Sequence, residues 1–488
     1  MKGLIIINET MYKRIKELDP FFNAEYNGMD DLGSSKLFAD VNKGQILFND
    51  TARSWFYYDG VKWSKDIEGL KVDGIAKEFT KACRKYSLSL DGRLRKKELT
   101  AEERKSEQDR LKTYVRYIDS LGRRAVRKTI IEDARSYVQV SQDEFDTQPH
   151  LFNCRNGVLD LNTGTLLEHS PELLLSKVAN VEYDPKARCD RFDGFMKDIM
   201  FGDGEKIRYL QTLFGYAMSG TNEREEAYML YGSTTRNGKS TLLDTMNYLF
   251  GDYGMNIQPE SLAEQKKSGR SASGDIARLN GCRLLQMAEP PKNMKLDVAL
   301  LKTLTGRDRI TARHLYENDC EFTPVFKLFI NTNYLPVVLD DTLFISERIK
   351  VVTFERHFEP EEQDTGLKDA LKTPESLAGI LNWVLQGNQQ YRNDSQAICP
   401  PKAVREATAA YRYHSDKISL FLGDLHSEDC DAVMRCSELY DRYVAWCKDN
   451  NYGSEGKHSF MNEIRKRPEY KETGTINGLT VRNVFCIC

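Results

Sequence analysis

The chain has 488 residues, of which 40% are hydrophobic and 29% charged, and its formal net charge is −3. This composition excludes a disordered chain, and at roughly 150 residues per domain the length predicts two to four domains. The near-neutral balance gives no general attraction to polyanions, so charge has to be examined locally.

The 11 cysteines form no C-x-x-C pair. Such a set predicts reduced thiols in a cytoplasmic protein and disfavours a zinc site. The apolar run at residues 4–7 is too short for a signal peptide or a membrane span, and no other stretch reaches about 18 apolar residues. We therefore expect no membrane association.

The N-terminal region is predicted to be α+β. Residues 36–66 contain short apolar runs (LFAD, QILFND, SWFYYDG and VKW) between turn signals, which predicts a small β-rich unit. Residues 70–140 show apolar residues at helical spacing. Within them, residues 81–130 hold 16 Lys/Arg against 7 Asp/Glu, most densely in LGRRAVRKTI. This basic surface is either a solvated helix face or a surface that contacts nucleic-acid phosphates.

The following elements lead into an α/β pattern. LFNCRNGVLDLNTGTLLEHSP (residues 151–171) predicts a hairpin, and residues 189–219 predict a helical connector. From 227 to 383, strand-like runs (AYMLYG, RLLQMAE, FKLFINTN, IKVVTF) alternate with helical patterns, which predicts a parallel α/β sheet with crossover helices. After the proline-marked ICPPK, helices and a short strand pair at 478–488 have the size of a winged-helix module.

The segment YGSTTRNGKSTLL follows the first of these strands and precedes a helix. It departs from the pattern G-x-x-x-x-G-K-[ST], because the first glycine is Gly232 and Ser233 takes its place. The alternative is a glycine-rich turn with a chance lysine, but the strand–loop–helix context favours a phosphate site. We expect Lys239 to neutralise phosphates and Ser240 to bind Mg²⁺, and we expect the extra residue to make a slack first turn in which Gly232 is of secondary importance. The predicted nucleotide-binding residues are Gly232, Ser233, Thr234, Thr235, Arg236, Asn237, Gly238, Lys239, Ser240 and Thr241.

Three later segments supply candidate catalytic residues. Glu289 ends RLLQMAE before two prolines, which places it at a strand tip where it can orient Mg²⁺ or the attacking water. Asn331 and Asn333 end FKLFINTN and can reach the γ-phosphate or its water. Arg348 precedes the last strand, where an arginine can serve the nucleotide of a neighbouring subunit. Each residue also has an ordinary alternative, as a turn or surface residue.

A basic hairpin is predicted between Glu289 and Asn333, where RITARHLY and CEFTPVFKLF alternate like two strands. Its cations and an aromatic side chain can hold the backbone and a base of a nucleic acid, and a solvated hairpin is the alternative. The candidate DNA-binding residues are Lys302, Arg307, Arg309, Arg313, His314 and Tyr316.

In their order, NGKST, LLQMAE, LLKTLTGRDRITARHLYENDCEFTP, NTNYLP and ERIKVVTF resemble the superfamily 3 helicases. Together with GILNWVLQG, PKAVREATAAYRYHSDKISLFL and LYDRYVAWC, they are similar to the helicase part of the phage and plasmid primase–helicase family, which includes the poxvirus primase–helicase. WFYYDGVKW and LFNCRNGVLDLNTG resemble the region that precedes the helicase in that family. The resemblance extends over most of the chain from about residue 36.

The resemblance implies an AAA+-type P-loop NTPase core that forms a hexameric ring, hydrolyses ATP between subunits and moves along single-stranded DNA, mostly 3′ to 5′. Asn333 matches the sensor asparagine better than Asn331 does. The other implied roles are the phosphate-loop pair for Lys239 and Ser240, the second-strand acid for Glu289 and the arginine finger for Arg348.

Two departures from the family pattern affect the loop and the metal site. The loop has one extra residue, and Pro290 follows Glu289 where many members have two adjacent acids, so magnesium coordination would depend on Ser240, Glu289 and water. The implied domains are an α+β N-terminal region at 1–150, a hairpin and helical connector at 151–220, a superfamily 3 ATPase domain at 221–395 and a winged-helix-like domain at 400–488.

A primase site is not evident, because the one D-x-D, at residues 429–431, has no histidine motif in context. We therefore predict a replicative DNA helicase of a phage or mobile element, which acts with ATP and Mg²⁺ on single-stranded and forked DNA in the cytoplasm of a bacterial host. A separate primase or replication initiator is a candidate partner. The alternatives are a DNA-packaging or protein-remodelling motor and a non-enzymatic DNA-binding initiator.

Overall fold

The computed structural model describes residues 2–26, 30–264, 273–292, 294–313, 319–338, 342–428, 433–450, 453–476 and 479–486. Its N-terminal part packs helices over a small mixed sheet. The elements are α1 (Lys2–Leu18), α2 (Asp31–Val41), β1 (Ile46–Asn49), β2 (Ser54–Tyr58), β3 (Trp63–Lys65), α3 (Leu70–Arg95), α4 (Ala101–Ser120), α5 (Arg124–Ala134) and β4 (Gln139–Val140). The strand order is β3-β2-β1-β4, with β4 parallel to β1. The predicted helices at 70–140 are confirmed.

The run LFAD lies in α2, so the prediction that it begins the β-rich unit is wrong. Asp30 caps this helix, because its Oδ1 atom accepts a hydrogen bond of 2.8 Å from the N–H group of Gly33. Phe38 and Val41 then face a buried cluster shared with α1 and α3. A short apolar run fits either a helix or a strand, and here the cap decides.

The predicted hairpin at 151–171 is confirmed and has a third strand. β5 (Leu151–Cys154) and β6 (Gly157–Asp160) are antiparallel, and β7 (Thr165–Leu167) pairs with β6. The predicted connector consists of α6 (Asp190–Ile199) and α7 (Gly204–Ala217). Residues of β5, β6 and both helices share one buried cluster with the large sheet that follows, so they support the site directly.

A five-stranded parallel sheet forms the centre of the C-terminal half, as predicted. Its segment contains β8 (Ala227–Tyr231), α8 (Lys239–Phe250), β9 (Gly254–Ile257), α9 (Ser273–Ala277), β10 (Leu284–Met287), α10 (Val298–Thr305), β11 (Ile310–Arg313), β12 (Asp319–Phe322), β13 (Lys327–Thr332), α11 (Thr342–Ile345) and β14 (Ile349–Thr353). The strand order is β14-β8-β13-β10-β9. Buried clusters cover both faces, which explains the continuous apolar runs. The prediction omits β9, because that strand is short and partly exposed.

Three further helices surround the sheet: α12 (Leu367–Ala370), α13 (Pro374–Asn393) and α14 (Lys402–Ser415). α13 crosses α7 at a pair of glycines. A Cβ atom on Gly387 would lie 1.9 Å from the backbone oxygen of Gln211, and one on Gly215 would lie 2.1 Å from the backbone nitrogen of Asn388. Only glycine allows the two helices to approach so closely.

The C-terminal elements form a separate buried cluster. They are α15 (Lys417–Glu428), β15 (Val433–Arg435), α16 (Cys436–Asp449), α17 (Lys457–Ile464), β16 (Tyr470–Ile476) and β17 (Leu479–Cys486), with the strand order β15-β17-β16. The strand pair begins before residue 478, where the sequence predicts its start. The prediction misses β16 because that strand is mostly polar and shows no apolar run. α14, which the predicted division assigns to this domain, lies instead against β14, where the Thr408 hydroxyl accepts a 3.0 Å hydrogen bond from the N–H group of Val351. Throughout the described part of the chain, each helix is too short or too polar to cross a membrane.

Candidate active site

The predicted phosphate loop connects β8 to α8. Residues 233–236 are exposed, and Arg236 takes a left-handed conformation with φ of 58°. Gly238 has φ of 83°, and a Cβ atom there would lie 2.3 Å from Cγ2 of Ile199 on α6. Glycine is therefore required directly before Lys239, the first residue of α8. The first backbone N–H groups of α8 thus adjoin an exposed loop, as an anion site needs.

The first glycine of the loop is closely packed. A Cβ atom on Gly232 would lie 2.2 Å from Nδ2 of Asn237 and 2.9 Å from Nζ of Lys239. The same Nδ2 atom donates a hydrogen bond of 2.6 Å to the carbonyl oxygen of Thr234, which closes the loop on itself. The expectation of a slack first turn in which Gly232 is of secondary importance is wrong, because any side chain at that position would displace Asn237 and Lys239.

Lys239 is buried, and its ammonium group contacts two amide oxygens. Nζ donates a hydrogen bond of 2.9 Å to Oδ1 of Asn237 and one of 2.8 Å to Oδ1 of Asn333. Burial lowers the pKa of Lys239 to about 8, and the Glu289 carboxylate opposes this shift. A desolvated ammonium group gains most from an anion, and phosphate supplies one.

Glu289 and Asn333 meet at the carboxyl ends of neighbouring strands. Glu289 is exposed and follows β10 by two residues, and Asn333 directly follows β13. The Nδ2 atom of Asn333 donates a hydrogen bond to the Glu289 carboxylate, while its Oδ1 atom accepts from Lys239. The structure therefore brings together three of the predicted catalytic residues, with the asparagine between the acid and the lysine.

Asn331 and Ser240 form a second pair at the same edge. The Nδ2 atom of Asn331 donates a hydrogen bond of 3.0 Å to the hydroxyl of Ser240, and its Oδ1 atom is buried with no hydrogen-bond partner among the described residues. Within these residues, no three His, Cys, Asp or Glu side chains form a metal cluster. Mg²⁺ is commonly held by one or two protein oxygens with water and substrate phosphates. Ser240 and Glu289 fit that donor set, and the Asn331 oxygen is a further buried acceptor at the same edge.

Arg348 lies at the opposite edge of the sheet. Its carbonyl oxygen accepts a hydrogen bond from the N–H group of Ala227, the first residue of β8, whereas the phosphate loop leaves the other end of that strand. The guanidinium group pairs with the Glu225 carboxylate and donates a 3.1 Å hydrogen bond to the Thr305 hydroxyl at the end of α10. The structure therefore does not bring Arg348 to the loop of its own chain.

The predicted basic hairpin is confirmed as the antiparallel pair β11–β12. Arg313 lies on the exposed side of β11. Arg309, directly before β11, is exposed, and its guanidinium lies 3.7 Å from the Glu321 carboxylate. His314 and Tyr316 fall outside the described residues.

The two remaining candidate DNA-binding residues precede the hairpin in the chain. Arg307 is held by Glu225, with 3.2 Å between Nε and Oε1. The Lys302 ammonium group, on α10, donates a hydrogen bond to the Thr342 hydroxyl. Glu225 thus contacts both Arg307 and Arg348, a role that no local sequence pattern indicates.

The segment after β14 braces the phosphate loop, which the sequence also did not indicate. The N–H group of Phe358 donates a hydrogen bond of 2.9 Å to the carbonyl oxygen of Arg236. The Nδ1 atom of His357 lies 2.8 Å from the carbonyl oxygen of Thr235, a contact between residues 122 positions apart. Contacts at such separations leave no motif, so only the fold reveals them.

Three protein families match successive parts of the chain. The family described as D5 N terminal like matches residues 35–201, a family of unknown function (DUF5906) matches residues 230–348, and the family described as Poxvirus D5 protein-like matches residues 413–473. The second match contains the phosphate loop, Glu289, Asn333 and Arg348.

Viral proteins are similar along much of the chain. A putative helicase of Acanthamoeba polyphaga mimivirus is 30% identical over 63% of this chain and 34% of its own length. A putative helicase of Invertebrate iridescent virus 3 is 24% identical over 97% of this chain and 55% of its own length. A putative primase of African swine fever virus is 21% identical over 70% of this chain and 38% of its own length. The chain thus spans about a third to a half of the length of these relatives.

Among solved structures, the C-terminal region of NrS-1 aligns with 94% of this chain and 99% of its own, at 11% identity and a TM-score of 0.49, which is too low to support a conclusion. At the level of sequence, D5-type families match both the N-terminal region and the C-terminal module. In both of these regions, and in its similarity to viral proteins named putative helicases and primases, the chain resembles the D5-like primase–helicases of large DNA viruses.

Proposed function

We propose that this protein is an ATP-driven DNA helicase with an AAA+-type core that hydrolyses ATP at the carboxyl edge of its five-stranded sheet. The observation that carries the proposal is the hydrogen-bonded set of Lys239, Asn333 and Glu289 beside the phosphate loop. Ligands of open parallel sheets bind at this edge. The all-parallel order, with the loop strand β8 between β14 and β13, supports the type of core.

The roles of the residues follow from their positions. The N–H groups at the start of α8 hold phosphate oxygens, and Lys239 neutralises their charge. Ser240 and Glu289 would hold Mg²⁺, which would withdraw charge from the phosphates when bound. Glu289 and Asn333 orient the attacking water towards the γ-phosphate. Asn331 fixes the Ser240 hydroxyl.

We propose further that the active form is a ring of subunits, six by resemblance. The five residues of β14 separate Arg348 from the loop edge by about 15 Å, at roughly 3.3 Å per strand residue. An arginine side chain is shorter than that distance, so Arg348 serves the nucleotide of a neighbouring subunit. To do so it exchanges Glu225 for the γ-phosphate, where its charge stabilises the transition state.

The hairpin β11–β12 is the proposed contact to single-stranded and forked DNA. It lies in the chain between β10 and β13, the two strands that position Glu289 and Asn333. A change at the nucleotide can therefore move the hairpin through either strand. The C-terminal module, with α16 and α17 before the β16–β17 hairpin, has a winged-helix-like order of elements. It is a candidate contact for DNA or for a separate primase or initiator.

The test measures ATP hydrolysis with Mg²⁺, with and without single-stranded DNA, and strand separation on forks with a 3′ or a 5′ tail. We expect DNA-stimulated hydrolysis and unwinding, both lost in Lys239→Ala, and electron microscopy with ATP to show rings. Full unwinding by Lys239→Ala would contradict the proposal. Hydrolysis that ignores DNA would favour a packaging or remodelling motor, and origin-specific binding without ATP would favour an initiator.

A further inference from the structure

A groove of about 600 Å³ opens between α5, the start of α3 and the strands β1 and β2. It contains none of the residues assigned above to the nucleotide or to the β11–β12 hairpin. Its α5 side presents Arg124, Arg127 and Lys128, with Arg135 just beyond the helix. These positions recur at helical spacing on one face. They include residues of LGRRAVRKTI, the densest part of the basic run at 81–130. The sequence predicts that this run is either a solvated helix face or a surface that contacts nucleic-acid phosphates.

The charge of the groove is positive after internal pairing. Six basic and four acidic side chains line it. Asp73 pairs with Lys77 at 2.6 Å, and Glu132 lies 3.7 Å from Lys128. Asp66 is occupied by two backbone N–H groups at the start of α3. The two ion pairs leave four arginines and two acids, Glu68 and the buried Asp66.

The four arginines have unused hydrogen-bonding capacity. Arg53 and Arg124 are exposed, and neither has a carboxylate partner within the described ranges. Arg127 donates to two backbone carbonyls, but its Nε atom is buried without an acceptor. Arg135 lies beside the groove without an ion pair in the same residues. Glu68 and Asp66 are the acids that oppose them, and Asp66 is buried against the start of α3.

We propose that this groove binds the phosphate backbone of single-stranded DNA. Arginine pairs with phosphate through two parallel N–H bonds, and the four guanidinium groups exceed the two remaining acids. The Arg135 guanidinium lies 4.7 Å from the centre of the Phe48 ring, and this stacked pair offers a flat face for a base. The volume suits one or two nucleotides rather than a duplex.

The position of the groove favours a DNA strand over a free phosphate ion. A smaller cavity brings Arg309 of the hairpin together with Thr51, and Thr51 lies two residues before Arg53 in the chain. The hairpin is thus a neighbour of the groove, and the carboxylates of Asp50, Asp143 and Glu321 also line the smaller cavity between them. The preference for a DNA strand rests on the proposed function, whereas the charge and volume of the groove do not.

The test compares two charge-reversal variants of the full chain. Arg53→Glu with Arg124→Glu alters the groove, and Lys105→Glu with Arg116→Glu alters exposed positions on α4 by the same charge. Binding of a fluorescent oligothymidylate is measured without nucleotide over a range of salt concentrations. We expect the groove variant to bind at least roughly tenfold more weakly and its salt slope to fall by about 1.4, at about 0.7 per phosphate contact. Equal affinities of the two variants would overturn the proposal.

Two further measurements keep the result interpretable. DNA-independent ATP hydrolysis should be the same in both variants. A protein without any ATPase activity would refute the proposed function, but the binding comparison between the two variants would still test the groove. Inorganic phosphate at matched ionic strength should displace the strand no better than chloride does, and stronger displacement would assign the groove to a free phosphate instead. If thermal unfolding shows that the groove variant is misfolded, Arg53→Gln with Arg124→Gln replaces it, with the same expected direction.

Discussion

The Oδ1 atom of Asn333 accepts a hydrogen bond of 2.8 Å from the buried ammonium group of Lys239, across 94 positions of the chain. This bond fixes the orientation of the amide, so the Nδ2 atom must face the other way, towards Glu289. The lysine proposed to contact phosphate and the acid proposed to orient water are therefore linked through one side chain.

Asn333→Ala is expected to lower kcat for ATP hydrolysis by about 100-fold and to change nucleotide affinity much less. The reason is that Lys239 can still reach the phosphates, while Glu289 loses the group that positions it. Steady-state hydrolysis and a nucleotide-binding titration separate the two effects. Asn393→Ala, at the exposed end of α13, serves as the control. An unchanged kcat would show that Asn333 does not act on the reacting groups.

The pKa of Lys239, lowered by burial to about 8, predicts a pH dependence of nucleotide binding. Below pH 8 the free protein already has the charged lysine, whereas above it a proton must be taken up before the phosphates are neutralised. Affinity for ATP with Mg²⁺ should therefore fall as pH rises above 8, by at most about tenfold per unit. Calorimetric titrations in buffers of different ionisation enthalpy detect the proton uptake. Lys239→Met should bind weakly with no such dependence, and an equal dependence in both proteins would exclude Lys239 as the source.

Gly238→Ala should destabilise the loop and weaken nucleotide binding. The new Cβ would lie 2.3 Å from Cγ2 of Ile199, and φ of 83° is itself unfavourable for alanine, so we expect a loss of about 1–3 kcal/mol in unfolding free energy. Gly194→Ala, in open space on α6, is the matched control and should be neutral or slightly stabilising. Thermal unfolding and binding of a fluorescent ADP analogue measure both effects. Adding Ile199→Ala should restore part of the binding, and no recovery would mean that backbone conformation alone is responsible.

Arg348 and the phosphate loop lie at opposite edges of one sheet, which predicts complementation between two inactive proteins. Lys239→Ala and Arg348→Ala should each lack ATP hydrolysis. Assemblies that contain both proteins should regain part of the hydrolysis. In them, the intact phosphate loop of an Arg348→Ala subunit can face the intact Arg348 of a Lys239→Ala subunit. Hydrolysis is measured as a function of mixing ratio. A mixture that stays inactive, although light scattering shows mixed assemblies, would place Arg348 outside the catalytic interface.

The relation between Lys239, Glu289 and Asn333 could be predicted from the sequence. Apolar runs that end in a polar residue reveal where strands stop, and the carboxyl ends of parallel strands share one edge. RLLQMAE and FKLFINTN show such ends, and NGKST marks the start of the helix beside them. These local signals are sufficient because the sheet is all parallel.

Other features depended on contacts that no local pattern records. The close packing of Gly232 arises when Asn237 and Lys239 fold back over it, and the role of Glu225 arises when α10 and β14 come together. LFAD fits a strand as well as a helix until the cap at Asp30 is considered. Where a residue's partner comes from another element, the sequence shows which type of residue is present but does not predict its role.

Glu225 divides one negative charge between two guanidinium groups, Arg307 before the hairpin and Arg348 before β14. If either arginine leaves, the other keeps the whole carboxylate and is held more strongly. By thermodynamic reciprocity, the departure of either arginine from Glu225 disfavours the departure of the other. A DNA strand that attracts Arg307 would therefore delay the release of Arg348, and a neighbour's nucleotide that attracts Arg348 would tighten Arg307. In the proposed helicase, a subunit would then act on its strand and on its neighbour alternately, as a stepping motor does.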